Sequence, residues 1–155
     1  MFGRDPNLFK PRAGVIHERL MTECLTFYNS RVILAWVTWE IEATDEFQVW
    51  WADLSEAERE AIIIAITVLE EKDPALGRPR VDTLAKDSKH PNMKELRIQF
   101  SGKPYRICFA FDPRQTGILL IGGIKSGKNW MPKMVAAADK IYDAYLQELQ
   151  KEGLL

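Results

Sequence analysis

Cysteine and histidine are scarce: Cys24, Cys108, His17 and His90 are the only side chains of either kind among 155 residues. The cysteines lie far apart with no C-x-x-C and the histidines have no ligand spacing, which argues against a disulfide framework or a zinc site and points to a reducing, cytoplasmic setting. Long apolar runs are missing as well. The longest, Val32 to Val37, falls far short of the roughly 20 residues of a membrane helix, and no basic stretch leads into an apolar segment at the start. Neither secretion nor membrane insertion is expected. Nor is a Ser-His-Asp arrangement visible.

What is present is a globular composition, 46% hydrophobic and 28% charged, in a length that suits a single domain. The net charge of −1 hides a segregation. Residues 38–76 carry 2 basic and 11 acidic side chains, whereas 77–133 carry 12 basic and 4 acidic. Clustered cations displace counterions from phosphates whatever the overall charge, so the second stretch reads as a footprint for a nucleic acid. Mutual compensation between acidic helices and basic strands is the alternative.

Gly3, Pro6, Pro11 and Gly14 break the first stretch, and residues 1–36 read as an extension, either disordered or adding a helix near Val15 to Tyr28. The domain is expected over 37–152. From Trp36 to Glu42, apolar and polar residues alternate as in a strand. Thr44 before Asp45 and Glu46 opens a short helix carrying Phe47, Trp50, Trp51 and Leu54. Ser55-Glu56-Ala57-Glu58 has the capping-box form and predicts a second helix with Ile62, Ile66 and Leu69 on its buried face. A basic linker spans Gly77 to Asn92. Three strands are then predicted, Lys94–Phe100, Tyr105–Phe111 and Ile118–Ile124, joined by short turns into an antiparallel meander. Pro132 suits the first turn of a last helix with Met134, Ala138, Ile141, Tyr145 and Leu149 on one face. The expectation is an α+β fold: a small antiparallel sheet, the meander plus the N-terminal strand, packed against two N-terminal helices and a C-terminal helix.

Gly122 to Lys128 satisfies G-x-x-x-x-G-K, the spacing of a phosphate-cradling loop, but Asn129 stands where Ser or Thr would ligate magnesium. The sheet is also of the wrong kind for that chemistry. The stronger signal is a set of cations on the meander: Arg97, Arg106 and Lys125, with Lys94, Lys103 and Lys128 around them. Converging on one sheet face, they could hold a phosphate and stabilise the charge that develops when a neighbouring 2′-hydroxyl attacks it. A solvated polar face, with Arg97 and Arg106 paired to Glu95 or to the acidic helices, is the competing reading.

Four blocks in order, Leu76-Gly77-Arg78-Pro79-Arg80-Val81-Asp82-Thr83-Leu84, Met93-Lys94-Glu95-Leu96-Arg97, Pro104 to Pro113 and Ile118 to Gly123 with Lys125, resemble the RelE/ParE superfamily toxins of bacterial type II toxin-antitoxin modules, in the HigB-like, phage-derived branch. The likeness runs from about Trp39 to Leu149. It implies a sheet packed on helices and a metal-independent endoribonuclease without cofactor, cutting messenger RNA on the translating ribosome until a helix-turn-helix antitoxin neutralises it. It assigns Arg97 to phosphate binding, Arg106 to transition-state charge and Lys125 to the same site; Lys94, Lys103, Lys128, Trp130 and Arg78 are read beside it as RNA contacts. Relatives often carry Asp before this lysine and Trp-Tyr ahead of the last helix; Ile124 and Trp130-Met131 stand there instead. The same resemblance leaves open a non-catalytic, antitoxin-binding remnant, or a ParE-like toxin that targets DNA gyrase.

Overall fold

Two hydroxyl side chains start the first two helices, as their spacing predicts. Thr44 Oγ1 accepts from the Phe47 N–H at 3.3 Å. Ser55 and Glu58 cap each other, Ser55 N–H donating to Glu58 Oε2 at 2.8 Å and Glu58 N–H to Ser55 Oγ at 3.3 Å. A computed structural model describes residues 40–72 and 78–155, which run β1 (Ile41–Ala43), α1 (Asp45–Ala52), α2 (Glu56–Lys72), β2 (Val81–Thr83), β3 (Met93–Phe100), β4 (Lys103–Phe111), β5 (Gly117–Ile124) and α3 (Trp130–Lys151). The extension over residues 1–36 and the first part of the strand expected from Trp36 lie outside the described residues.

The α+β class and the β3-β4-β5 meander are as predicted, and the strands lie in the order β1-β5-β4-β3-β2. Two details of the sheet differ. It is mixed rather than wholly antiparallel, because β1 lies parallel to β5 with Ile41 opposite Gly117. Parallel neighbours need a long crossover, and here the whole helical segment and three strands intervene. Part of the expected linker is also a strand: β2 pairs antiparallel with β3, Val81 facing Leu96.

Both sheet faces are covered. On one, Phe47 and Trp51 of α1 and Ile62, Ile66 and Leu69 of α2 pack on Leu96, Ile98, Tyr105, Ile107, Phe109 and Leu119. On the other, Val135, Ala138, Tyr142, Tyr145 and Leu149 of α3 pack on Met93, Cys108, Ala110, Ile118 and Leu120. Val135 and Tyr142 thus join the buried face of α3, with Met134 and Ile141 at its margin. Leu120 belongs to both a bulge and a cap. Cys108 faces Ile121 while Phe109 faces Leu119, so Leu120 has no partner across β4, and its carbonyl accepts the Thr44 hydroxyl at 2.7 Å.

Polar contacts fix α3 over the sheet. His90, in the loop before β3, places Nε2 2.7 Å from Asp143 Oδ1 and meets the Tyr142 ring edge-on. Asn92 Nδ2 donates to the Phe111 carbonyl at 2.8 Å and to the Tyr142 hydroxyl at 2.9 Å. His90, within the segment expected as a basic linker, is therefore half-buried and held by Asp143.

Candidate nucleic-acid interface

Strand parity decides which cations meet. Arg97 of β3 and Arg106 of β4 are direct cross-strand partners, and Arg106 is in turn opposite Gly123 of β5. They share the α3 face with Met93, Cys108 and Ala110. Lys125 continues the ladder beyond Gly123, its N–H donating to the Pro104 carbonyl at 2.8 Å, and its side chain is exposed. Arg97, Arg106 and Lys125 thus lie together at one end of one face.

Trp130, the first residue of α3, covers Gly123. A Cβ on that glycine would come within 2.7 Å of Trp130 Cζ2, so the residue across from Arg106 must lack a side chain for the indole to lie there. On the other sheet face a Cβ on Gly122 would meet Trp50 Cζ3 at 2.2 Å. The Gly-Gly pair is therefore a seat for two indoles, one on each face. Trp130 keeps an exposed portion beside Arg106, and Lys128 is exposed in the loop between β5 and α3.

Lys94 and Lys103 do not join this group. Each is three residues from one of the arginines and so points to the opposite face. Lys94 Nζ lies 5.8 Å from the centre of the Phe111 ring, and Lys103 Nζ is 3.8 Å from Glu58 Oε1 of α2. Tyr105 also faces α2, buried, its hydroxyl donating to Glu58 Oε1 at 2.5 Å. It packs in the core and offers no ring to a base. Arg78, exposed, is paired with Asp82 Oδ2 at 2.5 Å, beside β2.

Charge at the arginine pair is only partly compensated. Glu95, two residues before Arg97 and on its face, has Oε1 3.6 Å from Arg97 Nε and Oε2 3.7 Å from Arg106 Nε. Asp82 adds a longer contact, 3.9 Å to Arg97 Nη1. The hydrogen bond from Arg78, aided by the charges of Arg78 and Arg97, holds the Asp82 carboxyl below its usual range against the opposing effect of burial. Arg106 donates from Nη1 to the Tyr105 carbonyl at 2.8 Å, while its buried Nε has no hydrogen-bond partner among the described residues. Burial first, and then the charge of Arg97, lower its proton affinity, with Glu95 opposing. Burial, with the charges of Glu95 and Asp139, pushes the Cys108 thiol up to about 12, which leaves it unreactive. Glu95 is the residue that sequence reasoning left as a mere pairing alternative; its parity with Arg97 was the available signal.

The family called "Phage derived protein Gp49-like (DUF891)" matches residues 49–143, which takes in the end of α1, all of α2, the sheet from β2 to β5 and most of α3. The chain belongs to this phage-derived, RelE/HigB-like toxin family. It is 39% identical over 109 residues to a Mycobacterium tuberculosis (strain ATCC 25618 / H37Rv) protein named "Putative toxin HigB2", a match that covers 68% of this chain and 54% of that protein. It is 41% identical over 99 residues to "Putative toxin HigB3" of the same strain, covering 63% of this chain and 84% of that one. The chain thus spans about half the length of the first of these relatives. No solved structure matches it significantly. Among the described residues no helix is long and apolar enough to cross a membrane.

Proposed function

We propose that this Gp49-like protein is the toxin of a toxin-antitoxin pair and acts as a messenger-RNA endonuclease, with the ribosome supplying part of the geometry and a helix-turn-helix antitoxin as its partner. The observation that carries this reading is the direct pairing of Arg97 and Arg106 on one sheet face, with a buried Arg106 N–H left unmet. The names of the two mycobacterial relatives support it.

In such a site the two guanidinium groups hold the non-bridging oxygens of a scissile phosphate. The 2′-oxygen of the preceding nucleotide bonds to phosphorus and the bond to the 5′-oxygen breaks, leaving a cyclic phosphate and a 5′-hydroxyl; the proton lost by the 2′-hydroxyl is balanced by one gained at the 5′-oxygen. Negative charge grows on the phosphoryl oxygens along this path. Fixed cations in a partly dry site stabilise it more than they stabilise the ground state, which is what lowers the barrier. Lys125, just past β5, and Lys128, in the loop beyond it, extend the positive surface, and the exposed part of Trp130 offers a base a stacking surface.

The test is induction of the gene alone in a bacterial host beside its Arg106→Ala variant, with growth scored and messenger 5′ ends mapped. Growth arrest with new cuts inside translated frames, both absent in the variant, is the expected result. Arrest without cuts would point instead to a gyrase-type target, and normal growth with the protein present to an antitoxin-binding remnant.

A further inference from the structure

Arg106 keeps a donor that the fold does not use. Its side chain is 9% exposed, and its Nε finds no acceptor within hydrogen-bonding distance among the described residues. A buried guanidinium N–H without a partner carries an unrecovered desolvation cost, which an acceptor brought from outside would offset. The group already nearest is Glu95. Its two oxygens face the Nε atoms of the two arginines, one each, at 3.6 and 3.7 Å. Those distances neutralise charge but are too long for hydrogen bonds. A carboxylate and a phosphodiester present the same feature to such a pair, two oxygens on one atom sharing a negative charge.

We propose that Glu95 is the internal counter-anion of the arginine pair: in the free protein its carboxylate compensates the position that a nucleotide phosphate takes, and the phosphate binds by displacing its influence from Arg97 and Arg106. This rests on the reading above that the pair grips phosphate. The register explains why such a device is needed. Two arginines at directly opposed positions repel, and a carboxylate on the same face, diagonal to one and two residues from the other, holds them side by side before any ligand arrives. The cost falls on binding, because every anion must compete with Glu95. A small monoanion has nothing further to offer. A polyanionic strand also engages Lys125 and Lys128, both exposed at the same end of the face, so Glu95 sets a threshold that favours a nucleic acid over free ions.

Glu95→Gln keeps the shape and removes the charge. Melting temperatures are measured with and without inorganic phosphate for the wild type, Glu95→Gln and the Glu95→Gln/Arg106→Ala double variant. Phosphate should stabilise Glu95→Gln as if bound roughly tenfold more tightly than by the wild type, with the gain abolished in the double variant. An uncleavable 2′-O-methyl RNA, followed by fluorescence anisotropy, should show a similar gain, with the salt slope steeper by about one. Equal stabilisation of wild type and Glu95→Gln by phosphate overturns the proposal. So does weaker RNA binding by Glu95→Gln, or unchanged binding with lost cleavage and a flattened pH profile, which would make Glu95 a proton acceptor. If phosphate discriminates as expected while RNA binds neither protein, the counter-anion stands and the RNA reading falls. Should Glu95→Gln not fold, Glu95→Asp, with its carboxylate drawn back by one methylene, must show a smaller gain of the same sign, and a loss overturns the assignment.

Discussion

Arg106 and Arg114 stand near opposite ends of β4, and the protein treats them differently. Arg114, in the turn after the strand, donates from Nε to Asp112 Oδ2 at 2.9 Å and from Nη2 to the same oxygen at 2.8 Å and to the Tyr145 hydroxyl at 2.6 Å. Burial alone would lower its proton affinity, but the Asp112 hydrogen bond and the charges of Tyr145, Asp112 and Glu42 more than reverse this, and its pKa is raised. Arg106 shows the other outcome: burial and a like charge lower its pKa, and its nearest carboxylate stands too far off to satisfy Nε. The hydrogen-bonded arginine knits β1, the β4–β5 turn and α3 together. Arg106 is held in place with a donor to spare, and a spare buried donor serves a ligand better than it serves the fold.

The most severe way to test this contrast is to remove the anchor of the Arg114 network. Asp112, whose side chain is fully buried, also accepts the backbone N–H groups of Arg114 and Thr116 at 2.8 and 3.0 Å. Asp112→Ala should cost about 3–5 kcal/mol in urea unfolding, since it leaves a cation and several donors uncompensated. Arg106→Ala should follow the opposite pattern. It gives up one hydrogen bond and the long contact with Glu95 but also removes a repulsion and an unmet buried donor, so its stability should stay within about 1 kcal/mol of the wild type, while cleavage falls by about 10²–10³. An Arg106→Ala variant as unstable as Asp112→Ala would make both arginines structural and break the comparison.

Much of this architecture was legible in the sequence, for local reasons. Thr44, the Ser55–Glu58 box and the turns that bound the meander act over three or four residues, and they act here as their spacing implies. Nonlocal features were not legible. β2 is three residues long and sits among Pro, Arg and Lys, too short to show an alternation; it becomes a strand because β3 offers it an edge. The parallel seat of β1 beside β5 depends on a pairing that no local pattern announces. At the site, the arginine pair was within reach, and period-two parity would already have sent Lys94 and Lys103 to the far face. What sequence could not supply is the unmet Nε of Arg106, which follows from the packing around it.

The two glycines beneath the indoles sharpen the comparison between the sheet faces. Gly122→Ala would drive a Cβ into Trp50, which is half-buried like Trp130 but packs with Phe47 against the α1/α2 core, and should cost about 1–3 kcal/mol by thermal unfolding. Gly123→Ala pushes on Trp130, whose partly exposed ring can swing outward. Its cost should be less than about 1 kcal/mol, with the change read instead in RNA affinity. Equal destabilisation by the two would mean that Trp130 is as fixed as Trp50 and has no surface to lend to a base.

The mildest effect concerns Tyr105, next to Arg106 in sequence and on the other face. The Tyr105 hydroxyl bond, first, and those from Ser55 lower the Glu58 carboxyl to about 2 from an ordinary 4.5. A carboxyl with a depressed native pKa adds stability that is complete above its unfolded value and is lost as pH falls from about 4.5 towards 2. Tyr105 itself is pushed up to about 12 from 10 by burial and then by Glu58. Folding therefore favours the neutral phenol, and that stability is complete below pH 10 and lost as pH rises towards 12. Tyr105→Phe should flatten the stability profile in both windows, measured by denaturant unfolding across pH, and leave cleavage at neutral pH intact. If cleavage were lost instead, the buried tyrosine would be transmitting something to the arginine beside it, and the separation of the two faces would not hold.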